Sequence, residues 1–76
     1  MSTYTEEEIS VHNTEKSCWI IIDDNVYDIT TFLRDHPGGK YILLSVGGKD
    51  VTDSFDIFHS RKVLDKYGYK FFIGKI

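Results

Sequence analysis

The sequence predicts a small α+β domain, a mixed sheet that carries several short helices. At 76 residues the chain has room for one domain and not for two. Apolar segments rich in β-branched and aromatic residues indicate strands near both ends, at Cys18–Ile22 and Tyr69–Ile73. The helical segments between them are too short to form a bundle. We therefore expect residues 1–76 to fold as a single domain.

The N-terminal third predicts one helix and a β-hairpin. Thr5-Glu6-Glu7-Glu8 has the pattern of a capping box, which predicts a short helix that ends at about His12. Cys18–Ile22 predicts a buried strand. The polar residues Asp23–Asn25 predict a turn, after which Val26–Asp28 forms the returning strand.

A one-turn helix is expected next, over Phe32–Arg34. Thr30 or Thr31 can cap its start. Pro37 should end it, because the residue before a proline is disfavoured in the α region. His36 is therefore predicted to lie where this helix ends.

Three further helices are predicted in the second half of the chain. The first covers residues 40–46 and stops at the glycine pair that follows. The second is capped by Asp50 or Thr52 and places Val51, Phe55 and Phe58 on one stripe. The third covers residues 60–66, and Gly68 breaks it before the last strand.

Composition and charge exclude several classes of protein. The single cysteine excludes a disulfide framework and suggests a reducing, cytoplasmic setting. The longest apolar run, Cys18–Ile22, is far shorter than the roughly 20 residues of a membrane-spanning helix. Residues 1–36 hold eight acidic and two basic residues, whereas residues 37–76 hold four acidic and seven basic. The basic residues are scattered, so nucleic acid is not an expected partner.

The stretch His36-Pro37-Gly38-Gly39 carries the clearest chemical signal. A rigid proline and two residues without a Cβ let the backbone turn sharply and approach a large flat group. With His59 further along the chain, one imidazole could lie on each side of an apolar slot, which suits a porphyrin iron with two axial ligands. The predicted cofactor contacts are Phe32, Gly38, Gly39, Ile42, Leu43, Phe55, Ile57, Phe58 and Leu64.

These features resemble the cytochrome b5-like haem-binding domains, and the resemblance covers about Tyr4 to Gly74. The matching residues are Trp19, Val26-Tyr27-Asp28-Ile29, Phe32-Leu33, His36-Pro37-Gly38-Gly39, Gly48, Asp50, Thr52, Phe55, His59-Ser60 and Phe71-Phe72-Ile73-Gly74. The resemblance implies that His36 and His59 are axial ligands of a b-type haem and that Ser60 bonds a haem propionate. It also implies a carrier of single electrons, not an enzyme.

The predicted partners follow from that resemblance. A NAD(P)H-dependent flavin reductase would donate electrons, and a haem or non-haem iron oxidoreductase would accept them. No Cys-x-x-Cys-His sequence is present, so the haem would be held without covalent attachment. We expect a monomeric, cytoplasmic and soluble carrier with no membrane span in this chain.

Two alternatives share the same fold. One is a haem- or steroid-binding regulatory module, although members of that branch typically lack the paired histidines. The other is the haem domain of a larger oxidoreductase, excised from it. A thiol nucleophile at Cys18 is disfavoured because the residue opens a buried strand. His12 has no partner at metal-ligand spacing and is expected to be an ordinary surface residue.

Overall fold

Short helices and four strands make up the part of the chain that the computed structural model describes, residues 2–35, 39–53 and 68–76. The elements are α1 (Glu6–Ser10), β1 (Asn13–Thr14), β2 (Ser17–Ile22), β3 (Asn25–Asp28), a 3-10 helix (Thr30–Asp35), α2 (Lys40–Leu44) and β4 (Phe72–Lys75). Residues 52–53 and 68–71 are helical as well. The α+β class predicted from the sequence is confirmed. The predicted helix over residues 60–66 lies outside the described residues.

Helix α1 begins with the capping box that the sequence predicts. The Thr5 hydroxyl accepts a hydrogen bond from the Glu8 backbone N–H at 3.1 Å, and the Glu8 carboxylate accepts one from the Thr5 N–H at 3.1 Å. Both bonds satisfy N–H groups that a helix start leaves without partners. The helix ends at Ser10, slightly earlier than expected, and it buries Ile9 completely.

A two-residue turn joins β2 to β3. Ile22 pairs with Asn25 across the hairpin, so only Asp23 and Asp24 form the connection. Their φ angles are +51° and +64°, both in the left-handed region. Two successive left-handed residues match the right-handed twist of the flanking strands, and aspartate tolerates this conformation better than most residues. The predicted hairpin is confirmed, with β3 beginning one residue earlier than expected.

The sheet has the order β1-β2-β3-β4, and all neighbouring strands pair in the antiparallel direction. Its parallel component, within the described ranges, consists of two isolated bridges, Thr3 with Lys75 and Ile21 with Asp50. The first ties the N-terminal segment to β4, and the second ties the segment after α2 to β2. Both bridges therefore hold segments outside the four strands against the sheet.

Both faces of the sheet carry apolar cores, because β2 contributes side chains alternately to each. One face, called here the first face, holds Cys18, Ile20, Ile22, Tyr27, Ile29, Leu33 and Val51. The second face holds Ile9, Ile21 and Val26, packed against Tyr4, Trp19, Ile73 and Ile76. Burial on both sides explains why the β2 sequence shows a continuous apolar run with no polar alternation.

The last strand differs from its prediction. The strand predicted over Tyr69–Ile73 begins later, at Phe72, because residues 68–71 are helical. The predicted end of the 60–66 helix at Gly68 involves residues outside the described segments. Glycine within a helix costs only about 1 kcal/mol, and Gly68 is buried. The register of β4 against β3, with Val26 opposite Gly74, decides where the strand lies.

Helix α2 and the turn after it bring the chain back to the sheet. The helix ends at Leu44, and tighter turns continue to Gly48, which has a φ of +76°. The Gly48 N–H donates to the Trp19 carbonyl at 2.6 Å. The expected stop at the glycine pair is therefore present. None of the helices in the described segments is long and apolar enough to cross a membrane.

Candidate functional site

The structure describes four of the predicted site residues, Phe32, Gly39, Ile42 and Leu43. The predicted residues that lie outside the described segments are His36, Gly38, Phe55, Ile57, Phe58, His59, Ser60 and Leu64. The two predicted ligands are among them, and their positions stay predictions. The 3-10 helix leads into the His36–Gly39 motif, and α2 leads away from it.

A chain of hydrogen bonds fixes the 3-10 helix that precedes His36. The Asp28 carboxylate accepts bonds from the Thr30 N–H at 3.1 Å and from the Thr30 hydroxyl at 2.5 Å. The Thr30 hydroxyl in turn accepts a bond from the Cys18 backbone N–H at 2.9 Å. Asp28 is therefore the residue that caps this helix, whereas the sequence suggested Thr30 or Thr31. The start of the helix is tied directly to strand β2.

Half-buried apolar side chains border the first face on the side of α2 and the 3-10 helix. Phe32 and Leu43 pack against the buried core of that face, and the Phe32 ring lies 5.5 Å from the Phe71 ring. Ile42 is 57% exposed. Two of the predicted cofactor contacts, Phe32 and Leu43, are thus brought together beside one core, on the two elements that flank the motif.

Gly39 shows why the motif ends in glycine. Its φ is +97°, a conformation that side chains strongly disfavour. A Cβ built on Gly39 would meet no atom within 4 Å. The requirement for glycine is therefore conformational, and no described atom fills the space that its Cβ would occupy. Such space beside apolar side chains fits a flat apolar cofactor.

An ion pair holds the start of α2. The Lys40 ammonium lies 2.7 Å from the Glu15 carboxylate, which belongs to the turn between β1 and β2. The hydrogen bond and charge of Glu15 raise the pKa of Lys40, while the charge of Arg34 acts in the opposite direction. Arg34 and Lys40 line one small cleft. The described residues that flank the motif in sequence, Arg34 and Lys40, are therefore close together in the fold.

His12 is not the ordinary surface residue that the sequence suggested. It is half-buried, its Nδ1 is hydrogen-bonded to the Ser17 hydroxyl at 2.6 Å, and its ring stacks on Trp19 at 3.6 Å. The ring of Tyr4 packs edge-on against the other side of this cluster, 4.9 Å from Trp19. His12 therefore has a structural role on the second face.

Cys18 is fully buried, and burial raises the pKa of its thiol, with the nearby Asp28 charge adding to the effect. A raised pKa reduces the thiolate fraction and the reactivity. The thiol also packs 3.1 Å from the position that a Cβ on Gly47 would occupy. Cys18 is a core residue, which agrees with rejecting it as a nucleophile.

A family comparison decides the relationship of this chain to known proteins. Residues 5–76 match the model of the family described as "Cytochrome b5-like Heme/Steroid binding domain". The chain belongs to this cytochrome b5-like family. The cytochrome b5 proteins of this family bind b-type haem and carry electrons. The resemblance drawn from the sequence motifs is thereby confirmed for nearly the whole chain.

Curated relatives agree with this assignment. A Neurospora crassa protein that carries the cytochrome b5 name is 51% identical over 74 residues, covering 97% of this chain and 89% of that protein. Cytochrome b5 isoform E of Arabidopsis thaliana is 53% identical over 74 residues, covering 92% of this chain and 52% of that protein. The chain spans about half the length of the plant relatives that it matches.

Solved structures share the fold. The cytochrome b5 of Ostreococcus tauri virus 2 superposes with a TM-score of 0.87 at 48% identity, covering 95% of this chain and 92% of that one. Cytochrome b558 of Ectothiorhodospira vacuolata gives a TM-score of 0.86 at 22% identity, which shows likeness of fold alone, and covers 100% of this chain and 99% of that one. The cytochrome b5-like fold is therefore established.

The described residues fit the cofactor of the family. The open backbone at Gly39 and the apolar side chains of Phe32 and Leu43 could contact the ring of a haem. Sequence reasoning missed the Asp28 cap and the Glu15 ion pair. The motif Asp-x-Thr at Asp28–Thr30 is a local signal that could have revealed the cap. No local signal points to Glu15, because it lies far from Lys40 along the chain.

Proposed function

We propose that residues 1–76 form one haem-binding domain that carries single electrons, with a non-covalent b-type haem held between His36 and His59. The observation that carries this proposal is the His36-Pro37-Gly38-Gly39 motif, followed by His59, in a chain of the cytochrome b5-like family. When bound, the haem supplies an iron that gains and loses one electron. Both histidines would bind the iron through neutral imidazole nitrogens.

The protein would hold the haem, orient it and shield its iron. Each ligand histidine would donate its second ring N–H to a backbone carbonyl, which fixes the tautomer. If His36 and His59 both bound the iron, no coordination position would stay open, so oxygen and peroxide would be excluded from it. Gly39, Phe32 and Leu43 would face the ring. The free space beside the Cα of Gly39 and the apolar side chains of Phe32 and Leu43 support this placement. The further proposed contacts are Gly38, Ile42, Phe55, Ile57, Phe58 and Leu64, with Ser60 bonding a propionate.

The proposed partners are a NAD(P)H-dependent flavin reductase as donor and a haem or non-haem iron oxidoreductase as acceptor. We further propose that the domain acts as a monomer in the cytoplasm. A regulatory haem- or steroid-binding module is the alternative within the family. The presence of both His36 and His59 supports the electron carrier over that module.

An absorption spectrum tests the ligation. The purified protein, loaded with haemin, should show the Soret band of a low-spin ferric haem and sharp α and β bands after reduction with dithionite. His36→Ala and His59→Ala should each abolish those bands or yield a high-spin spectrum. Because the chain has a third histidine, His12→Ala is the matched control and should keep the wild-type spectrum.

Two results would contradict the proposal. The first is a protein that stays colourless after haemin is added. The second is an unchanged spectrum in His36→Ala or His59→Ala, which would require other ligands. A separate assay tests electron transfer itself: a flavin reductase with NADH should reduce the bound haem. Failure of every one-electron donor to do so, with the spectrum intact, would favour the regulatory module.

A further inference from the structure

Two cationic side chains that flank the His36–Gly39 motif in sequence share one cleft. Arg34 precedes the motif and Lys40 follows it, yet both line one cleft of about 100 Å³. Thr30, Leu33 and Glu15 complete the lining. A cleft of this size can admit a carboxylate group and no large ligand.

The charge of the cleft is set by three side chains. Glu15 pairs with Lys40 at 2.7 Å, and both groups remain accessible to solvent. Arg34 is exposed, and its charge acts on Lys40. No described acidic side chain forms an ion pair with Arg34. Among the described side chains that line the cleft, two positive charges face one negative charge, so it attracts anions.

Exposed apolar residues continue this surface along α2. Tyr41 is 74% exposed and Ile42 is 57% exposed. The Lys40 ammonium lies 5.5 Å from the centre of the Tyr41 ring. Arginine and tyrosine surrounded by polar residues are typical of protein interfaces, in which such side chains contribute much of the binding energy.

We propose that this surface, made of Arg34, Lys40, Tyr41 and Ile42, docks an acidic surface of a protein that exchanges electrons with the domain. One carboxylate of the partner enters the cleft between Arg34 and Lys40. Glu15 opposes this docking, because it competes for Lys40 and repels the incoming carboxylate. The inference rests on the proposed function, since the surface is assigned to electron transfer through its position beside the motif.

The same observations favour a protein over other anionic partners. A nucleic acid needs a run of cations along the phosphate backbone, and this surface offers two. An anionic membrane would repel Glu15, which lies within the cleft, and α2 has only five residues with which to lie on a bilayer. A protein partner accepts a mixed-charge surface, because its own side chains can match each charge.

Binding of a fluorescein-labelled oligoglutamate peptide to the haem-loaded protein at low salt tests the surface. We expect Arg34→Glu and Lys40→Glu each to weaken binding about fivefold to tenfold, since both replace an attraction by a repulsion. Glu15→Gln should tighten binding by about twofold to fivefold. Lys75→Glu is the matched control, because it makes the same charge change at an exposed residue. Lys75 lies on β4, at the opposite edge of the sheet from β1. It should change binding by less than about twofold.

Small oxidants link the surface to electron transfer. Reduced protein should transfer electrons to anionic hexacyanoferrate(III) more slowly in Arg34→Glu and Lys40→Glu than in the wild type. Transfer to cationic hexaammineruthenium(III) should become faster in the same variants. The ratio of the two rates should stay within about twofold of wild type in Lys75→Glu.

Three results would overturn the inference. Equal effects of Lys75→Glu and Lys40→Glu would show that net charge alone controls binding. Weaker peptide binding in Glu15→Gln would contradict the proposed competition between Glu15 and the partner carboxylate for Lys40. Binding to phosphatidylserine vesicles that is lost in Arg34→Glu, without peptide binding, would assign the surface to a membrane. A variant that misfolds is replaced by Arg34→Gln or Lys40→Gln. The haem spectrum of every variant separates these outcomes from failure of the proposed function.

Discussion

Replacement of Thr30 by valine tests whether the helix before His36 depends on its link to the sheet. The Thr30 hydroxyl accepts a bond from the Cys18 N–H at 2.9 Å and donates one to the Asp28 carboxylate at 2.5 Å. Valine has nearly the same shape and β-branching as threonine but neither accepts nor donates. The variant therefore removes two hydrogen bonds and little packing.

The expected cost follows from burial. Cys18 is fully buried, so its N–H loses its partner without a replacement from solvent. A buried polar group left without a partner costs about 1–3 kcal/mol. Asp28 is half-buried and keeps the Thr30 backbone N–H as a donor. Losing the Thr30 hydroxyl therefore costs less free energy at Asp28 than at the Cys18 N–H. We expect Thr30→Val to lower the free energy of unfolding by about 2 kcal/mol, which corresponds to about 8–16 °C in Tm for a domain of this size.

Urea denaturation followed by far-UV circular dichroism measures this effect in the haem-free and haem-loaded protein. Thr31→Val is the matched control, because Thr31 is the exposed neighbour in the same helix. It should change stability by less than about 0.5 kcal/mol. Thr30→Ser should recover most of the loss, since it restores the hydroxyl. Equal stabilities of Thr30→Val and Thr31→Val would refute the reasoning.

Three more predictions concern positions elsewhere in the fold. Gly48→Ala should destabilise the protein by at least about 2 kcal/mol in urea, since φ is +76° and the new Cβ would lie 2.7 Å from the Ser10 carbonyl oxygen; wild-type stability would contradict the close packing. Because burial raises the pKa of the Cys18 thiol, iodoacetamide should alkylate the native protein at least about tenfold more slowly than the urea-unfolded protein, and equal rates would place the thiol at the surface. Hydrogen bonds from Thr52 lower the pKa of Asp50 below its ordinary value of 3.8, so its stabilising effect is complete above that value and is lost as pH falls through the lower folded-state pKa. Unfolding midpoints measured across this acid range should depend on pH less in Asp50→Asn than in wild type, and an identical dependence would show that the carboxylate is not stabilised by folding.

The elements that the sequence predicted correctly are those encoded over a few neighbouring residues. The capping box at Thr5–Glu8 needs only one turn of chain, and the Asp23-Asp24 turn needs two residues. The run Cys18–Ile22 predicted a buried strand because both of its faces are covered. In each case the local chemistry and the tertiary structure favour the same conformation.

The predictions that failed concerned residues whose conformation depends on contacts with other elements of the fold. Gly68 suggested a break, but the pairing of β4 with β3 places the strand start at Phe72. His12 looked isolated because its contacts with Ser17 and Trp19 exist only after β2 has formed. The pairing of β4 with β3 is long-range, whereas the His12 contacts span five and seven residues across the turn between β1 and β2, and neither leaves a periodic pattern in the sequence.

The candidate site was predicted as a motif and not as a geometry. The residue types at His36–Gly39 and His59 predict a haem site, because few cofactors need two histidines and a glycine-lined backbone. The supports of the motif, the Asp28 cap and the Lys40–Glu15 pair, come from neighbouring elements of the fold. The sequence pattern predicts which residues are ligands, whereas the neighbouring elements position the residues on either side of the motif.

The second face of the sheet contributes to stability alone, whereas the first face also borders the candidate site. The second face is closed by the chain itself, since α1 covers Ile21 and Val26 with the fully buried Ile9. The first face ends in half-buried side chains, among them Phe32 and Leu43, which could still gain apolar burial against a haem. Haem binding should therefore stabilise the first face more than the second. Substitutions around the site should accordingly alter haem affinity and docking while the sheet keeps the core of its second face.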